Sequence, residues 1–287
     1  FNHFVVCPYW NVIEPAPGMM NWELTDRASP LLLQTMGFSV KVHPGVYLNH
    51  WAVPQWMRGK GFAELPSELA EFMRITAERF AGAEFWEISN EANLRYFGDF
   101  DFVSRDQMVE LIQNAAREIR RANPSARLSV NVWGGLDRLN PRITRSGLEW
   151  LGHASNRYNL APFEWFDYLN DRRIDYDVIG LQYRAGRMYI GQVGSQDNPI
   201  VDLHLISSYL DAYGTLGKRV HITEFVISDN AGVRGPWKWG QQEQVDYAKG
   251  FYTIAFSKPF VDAVVWWNAE RFAGFWDGKR PGPVFLA

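Results

Sequence analysis

Two glutamates stand out by their positions in the chain. Phe85-Trp86-Glu87-Ile88-Ser89-Asn90-Glu91 reads as a short buried β-strand that ends in an amide and a carboxylate side by side. Val220-His221-Ile222-Thr223-Glu224-Phe225 has the same form: an apolar run, a polar residue, then one glutamate. Parallel α/β barrels carry their chemistry at the C-terminal ends of their strands. Two carboxylates so placed suit glycoside hydrolysis. Roughly 5–5.5 Å apart they act as nucleophile and acid/base with retention; further apart they act as base and acid with inversion. The acid/base needs a raised pKa, and the nucleophile must stay ionised. Asn90 can hydrogen-bond a sugar 2-hydroxyl, a bond that strengthens in the transition state. Singly, each glutamate also fits a surface carboxylate at a loop start, Glu91 with Arg95 as ion-pair partner. The pair is what points to chemistry.

The elements that must position these residues alternate along the chain. Strands are expected at Phe4–Cys7, Phe38–His43, Phe85–Glu91, Arg127–Trp133, Tyr176–Gln182, Val220–Glu224 and Ala263–Trp267. Helices are expected between most of them. One spans Thr25–Gly37, with Thr25 or Asp26 as N-cap. A second starts at Leu65-Pro66-Ser67 with Ser67 as cap. Others cover Val109–Ala122, Phe163–Asn170, Leu203–Leu216 and Gln241–Ser257. Short apolar strands alternating with helices predict a parallel sheet covered by helices. The expectation is an α/β fold, a (β/α)8 TIM barrel. Seven strands are readable, and an eighth, the first of the barrel, is expected upstream of Phe1. With no repeat and no linker, residues 1–287 read as one catalytic domain.

Composition narrows the function. Hydrophobic residues make up 47% and charged residues 21% of 287 positions, which suits one α/β barrel of roughly 250 residues. The formal net charge of −3 gives no basic surface for nucleic acid or an anionic membrane. No apolar run reaches the length of a membrane span. One cysteine, Cys7, excludes an intrachain disulfide framework. His43, His50 and His221 are too scattered for a metal motif, so neither metal nor cofactor is expected. Thirteen tryptophans divide between core packing and flat platforms for sugar rings.

The chain resembles glycoside hydrolase family 10, the xylanase family of retaining (β/α)8 hydrolases. Trp86-Glu87-Ile88-Ser89-Asn90-Glu91 is similar to the family's W-D-V-x-N-E, and His221-Ile222-Thr223-Glu224 to its I-T-E-L strand. In the same order, Glu14-Pro15 with Gly18 and Asn21-Trp22 resembles E-P-x-x-G-x-F-x-F. His50 with Pro54 and Trp56 resembles W-H-x-x-x-P-x-W. Ala126–Asn131 resembles A-K-L-Y-I-N, and Asp177–Gln182 resembles D-G-I-G-x-Q. Val265-Trp266 and Pro281–Phe285 resemble the family's closing segments. The resemblance implies Glu91 as acid/base and Glu224 as nucleophile. It implies Asn90, His50 and Gln182 at the sugar and Trp266 as its apolar wall; Arg184, Asn131 and Tyr183 complete the expected substrate-binding set. It also implies a monomer acting on polysaccharide or oligosaccharide, outside the cell or in the periplasm.

Departures from the pattern bear on the sugar. Where the family carries E-N-x-x-K to bind the glycone, this chain has Val5-Val6-Cys7-Pro8-Tyr9. A shell that reads hydroxyls with polar groups loses that discrimination when it becomes apolar. The family's second histidine is Arg184, which stays charged, would hold Glu224 ionised, and could meet an acidic substrate. Xylan is the default substrate. The same mechanism on another, acidic plant or microbial glycan is the first alternative, and a non-catalytic carbohydrate-binding barrel is the second.

Overall fold

The computed structural model describes residues 3–26, 35–95, 98–136, 158–189, 195–198, 200–227 and 240–267. The chain divides into two compact units. The first comprises 1–131, 155–160 and 164–178; the second comprises 132–154, 161–163 and 179–287.

In the first unit, β1 (His3–Val6), β2 (Ser39–Val42), β3 (Phe85–Asn90) and β4 (Arg127–Val132) lie side by side in chain order. Each neighbouring pair is parallel, with Phe4 beside Val40, Val42 beside Trp86, and Asn90 beside Asn131. All six residues of β3 are buried. A strand covered on both faces needs that near-continuous apolar character. Two short helices, α1 (Trp10–Ile13) and α2 (Glu23–Asp26), follow β1. The longer helices α3 (Leu65–Arg79) and α4 (Arg105–Ala122) pack on each other.

Helix α4 shows how sequence sets an element. Ser104 accepts from the Gln107 amide while the Gln107 side chain accepts from the Ser104 amide, a reciprocal capping box. Met108, Leu111, Ile112, Ala115 and Ile119 then recur at helical spacing and are all buried. The chain leaves the helix at Asn123-Pro124. This helix starts four residues before the expected Val109, because the S-x-x-Q signal precedes the apolar run.

Helix α3 also differs from expectation. Ser67 is inside it and donates to the Glu64 carbonyl, and Pro66 occupies the first turn, where its missing N–H costs nothing. Thr25 lies within α2, and Asn21 Oδ1 accepts the Glu23 amide ahead of that helix. The rest of the helix expected at 25–37 lies largely outside the described residues, though Gly37 has the left-handed φ of +83° that suits a helix end.

In the second unit, β5 (Val178–Tyr189), β7 (Arg219–Ile227) and β8 (Val261–Trp266) are neighbours in that order, and β6 (Ser195–Asn198) pairs antiparallel with the end of β5. Helices α6 (Leu203–Gly214) and α7 (Gln241–Ser257) lie between the strands in sequence and pack on each other. Helix α5 (Pro162–Asp171), most of which belongs to the first unit, precedes β5 in sequence. The β5 extension to Tyr189 and the β6 hairpin were not expected. The closing segment Pro281–Phe285 lies outside the described residues. Among the described residues, the seven strands other than β6 alternate with helices in the sequential parallel pattern of a (β/α)8 barrel.

Each unit has its own core. In the first, aliphatic strand residues join buried aromatics such as Trp86, Phe100 and Trp165, and Trp10 stacks on Phe72 at 5.5 Å between centroids. The second centres on Tyr183, Phe225 and Phe251, with Phe225 and Phe251 only 4.3 Å apart. Fully burying a side chain such as Phe72 or Phe251 contributes about 1.5–3 kcal/mol.

Candidate active site

One candidate cluster, in the first unit, is at the end of β3. The segment after β2 runs beside that strand: Gly45 donates to the Glu87 carbonyl, Val46 to the Ile88 carbonyl, and Asn90 back to Val46. The approach is so close that a Cβ on Gly45 would stand 2.8 Å from both carbonyl oxygens, so only glycine fits. This brings Tyr47 to Glu91. The Tyr47 hydroxyl donates to Glu91 Oε2 at 3.2 Å.

Glu91 itself is buried, with its amide bonded to the Asn131 carbonyl. Its φ is +53°, in the left-handed region that a non-glycine residue occupies at a cost of about 1–3 kcal/mol. Such strain persists where surrounding structure over-determines it. Here β4, Tyr47 and the extended β3 do so. Asn90 is oriented by Asn131, whose Nδ2 donates to Asn90 Oδ1 at 2.8 Å. With its oxygen so used, the Asn90 amide nitrogen is left to donate elsewhere.

Beneath this end lies a charged cluster with no exposure. Glu87 accepts from Lys41 Nζ at 2.5 Å and pairs with His43 Nδ1 at 2.6 Å. Burial pushes the Glu87 carboxyl up, but His43 and Lys41 outweigh it and hold the group down at about 2. Glu87 is therefore a fixed anion between two basic side chains, unsuited to proton transfer near neutral pH.

A second cluster, in the second unit, belongs to β5, β7 and β8. Glu224, on β7, is buried and held at both oxygens. Gln182 Nε2 donates to Oε1 at 3.0 Å, and Arg184 Nη2 donates to Oε2. Gln182 and Arg184 share one face of β5, as alternation requires. A guanidinium against one oxygen and an amide donor on the other both favour the ionised carboxylate.

Three residues expected at the substrate are placed otherwise, and a fourth, His50, lies on an exposed turn beside Trp51. Tyr183, between Gln182 and Arg184, faces the opposite way. It is fully enclosed, stacks on Phe225, Tyr247 and Phe251, and shares a 2.6 Å hydroxyl bond with Tyr247. It is a core residue of the helix-covered face. Trp266 packs edge-on against Phe225, 5.1 Å between centroids, and its register partner on β7 is that same Phe225. It thus lies on the helix side, and alternation assigns the Glu224 side to Trp267. Asn131 is wholly buried and acts through Asn90. His50 is exposed on a turn, where its carbonyl accepts from Arg58 and its Cβ abuts Gly98.

Tyr47, Lys41 and His43 were not singled out from the sequence. Only the hydrogen-bonded approach of residues 45–47 to β3 reveals Tyr47. Arg95, the alternative partner of Glu91, instead bonds the Val103 carbonyl and covers the Tyr158 ring. Glu14 of the E-P-x-x-G motif is structural: it accepts from Trp10 Nε1 and from the Gly18 amide, both at 2.8 Å. Among the described residues there is no cluster of His, Cys, Asp and Glu suited to a metal ion, and no helix long and apolar enough to cross a membrane.

No family model matches the sequence, and no curated protein matches it. Solved structures do. Xylanase 10B of Thermotoga petrophila RKU-1, determined with xylobiose, aligns over 100% of this chain and 84% of its own, at 19% identity and a TM-score of 0.69. Xylanase B of Clostridium stercorarium F9 aligns over 99% and 88%, at 18% identity and 0.69. A thermostable mutant of a Cellvibrio japonicus xylanase aligns over 100% and 87%, at 17% identity and 0.70. The chain has the fold of these xylanases. At such identity the likeness establishes the (β/α)8 barrel; function rests on the residues.

Proposed function

We propose that this protein is a retaining glycoside hydrolase that cleaves β-1,4-linked polysaccharide, xylan first, with Glu224 as nucleophile and Glu91 as acid/base. The observation that carries the reading is the contrast in how two buried strand-end glutamates are held. Glu224 has a cation and an amide donor on its oxygens. Glu91 has a neutral phenol on Oε2 and a strained backbone that fixes its direction. A guanidinium on one oxygen suits a carboxylate that must stay ionised as nucleophile, and the acid/base role falls to Glu91.

In the first step Glu224 attacks the anomeric carbon while Glu91 gives its proton to the departing glycosidic oxygen. A covalent glycosyl ester and a shortened glycan result. In the second step Glu91 takes a proton from water, which displaces Glu224 and restores both groups with net retention. Asn90, oriented by Asn131, would donate to the 2-hydroxyl. Trp267 would provide the apolar wall. The likeness of fold to xylanases supports a glycan chain as substrate; the proposal further takes the protein to act as a monomer, outside the cell or in the periplasm.

A second reading, an acidic glycan, is favoured by one feature. The Arg184 side chain is 26% exposed while bonded to Glu224, so its cation is open to a substrate carboxylate. Reducing-end release from xylan, mixed-linkage β-glucan and glucuronate-bearing glycans separates the two, and proton NMR of the first product gives its anomer. Release from xylan with a β-anomer first is expected. Release from the acidic glycans alone transfers the mechanism to that class. Glycan binding without product makes the barrel a binding protein, and an α-anomer first rules out retention.

A further inference from the structure

We infer that Tyr9 and Trp51 form an apolar platform on which a pyranose ring of the substrate stacks beside Glu91. The inference rests on the glycosidase reading for the role of Glu91, and on separate observations for the platform itself. Among the described tryptophans, Trp10 (5% exposed), Trp86 (1%) and Trp165 (0%) are enclosed and five others are half-buried. Trp51 is 45% exposed. It is nonetheless fixed. Tyr9 meets it at 5.0 Å and 61° between planes, and Tyr47 meets it at 5.5 Å and 81°. Neither is a parallel stack, so the rings brace the indole without covering it as a stacked partner would.

The same rings tie Trp51 to the candidate chemistry. Tyr47 touches Trp51 with its ring and Glu91 Oε2 with its hydroxyl. Tyr9 touches Trp51 on one side and His43, the partner of Glu87, on the other. A large exposed ring anchored to a buried carboxylate through one side chain has the form of a ligand-facing surface, not of surplus core. Its brace Tyr9 belongs to the segment Cys7-Pro8-Tyr9, which stands where the resemblance to family 10 implies hydroxyl-reading polar groups. Recognition there would pass from hydroxyl pattern to ring face. The matching ligand is a β-linked pyranose whose equatorial substituents leave its C–H faces flat. Loss of a single hydroxyl from that sugar would cost little binding, because no buried polar group would be left unpaired.

The test is affinity electrophoresis of the whole chain in soluble xylan and in mixed-linkage β-glucan, for wild type, Trp51→Ala and Trp51→Phe. Melting temperatures confirm that the variants fold. Reducing-end release is read separately for each protein. Retardation of wild type, weakened about tenfold in Trp51→Ala and about threefold or less in Trp51→Phe, supports the platform whether or not sugar is released, since a stacked ring contributes on the order of 1 kcal/mol. Equal retardation of wild type and Trp51→Ala overturns the platform and leaves the hydrolase reading intact if product still forms. Absence of retardation of wild type by both glycans also overturns it.

Discussion

The surroundings of Glu91 and Glu224 differ more than their sequence contexts suggest. Both follow a short apolar strand, and both are buried to within a few per cent. Yet Glu224 is charge-paired and Glu91 is hydrogen-bonded by a phenol. A third carboxylate sharpens the contrast. Glu87 lies on the same strand as Glu91 but is locked between Lys41 and His43. Burial alone therefore does not select a role. In the proposed reading it is the guanidinium on Glu224 that marks it as the nucleophile.

The comparison can be broken most severely at Arg184. Arg184→Met leaves Glu224 without its cation. Removing one member of such a pair typically costs about 3–5 kcal/mol, so kcat/KM is expected to fall by at least about 100-fold. The acid limb of its pH profile should move toward neutral pH, because the unpaired carboxylate protonates more readily. An unchanged profile would detach Arg184 from the ionisation of Glu224.

Glu87 tests stability instead of turnover. Its folded carboxyl lies at about 2 against an ordinary 4.5. A depressed group contributes stability that is complete above its unfolded value and is lost as pH falls toward its folded value. Acid unfolding of wild type should therefore deepen between pH 4.5 and about 2. Glu87→Gln should flatten that window and lower stability at pH 7 by about 3 kcal/mol, since Lys41 is left buried and uncompensated. Denaturant titrations at several pH values measure both effects.

Tyr47→Phe should have the smallest effect. It removes one neutral donor at 3.2 Å, worth about 0.5–1.5 kcal/mol. A loss of kcat of a few-fold, with little change in KM, is expected. A fall as large as that for Arg184→Met would mean that Glu91 depends on Tyr47 as Glu224 depends on Arg184, and the contrast between the two sites would fail.

Sequence patterns located the strands because periodicity and apolar runs are local. Helix α7 agrees with its expected limits at Gln241–Ser257, and α6 is two residues shorter than expected. What alternation could not supply was phase. Gln182, Tyr183 and Arg184 are consecutive, and only packing against Phe225 and Phe251 shows that the tyrosine faces the helices. The same ambiguity separates Trp266 from Trp267. Tyr47 was illegible for another reason. It reaches Glu91 across 44 positions, through a backbone approach that depends on Gly45 lying against β3. His50 matched a family motif by type, but the structure sets it on an exposed turn and gives Tyr47 the place beside Glu91.

The assignment of roles is the central claim, and azide rescue reads it most directly. Glu224→Gly and Glu91→Gly would each be incubated with an activated aryl β-glycoside of the preferred sugar and sodium azide, and the glycosyl azide identified by NMR. With Glu224 as nucleophile, azide takes its place and attacks once, giving the α-glycosyl azide. With Glu91 as acid/base, the ester on Glu224 still forms and azide attacks in the second step, giving the β-glycosyl azide. The account predicts that pair of anomers. The opposite pair, or rescue of neither variant, would contradict it.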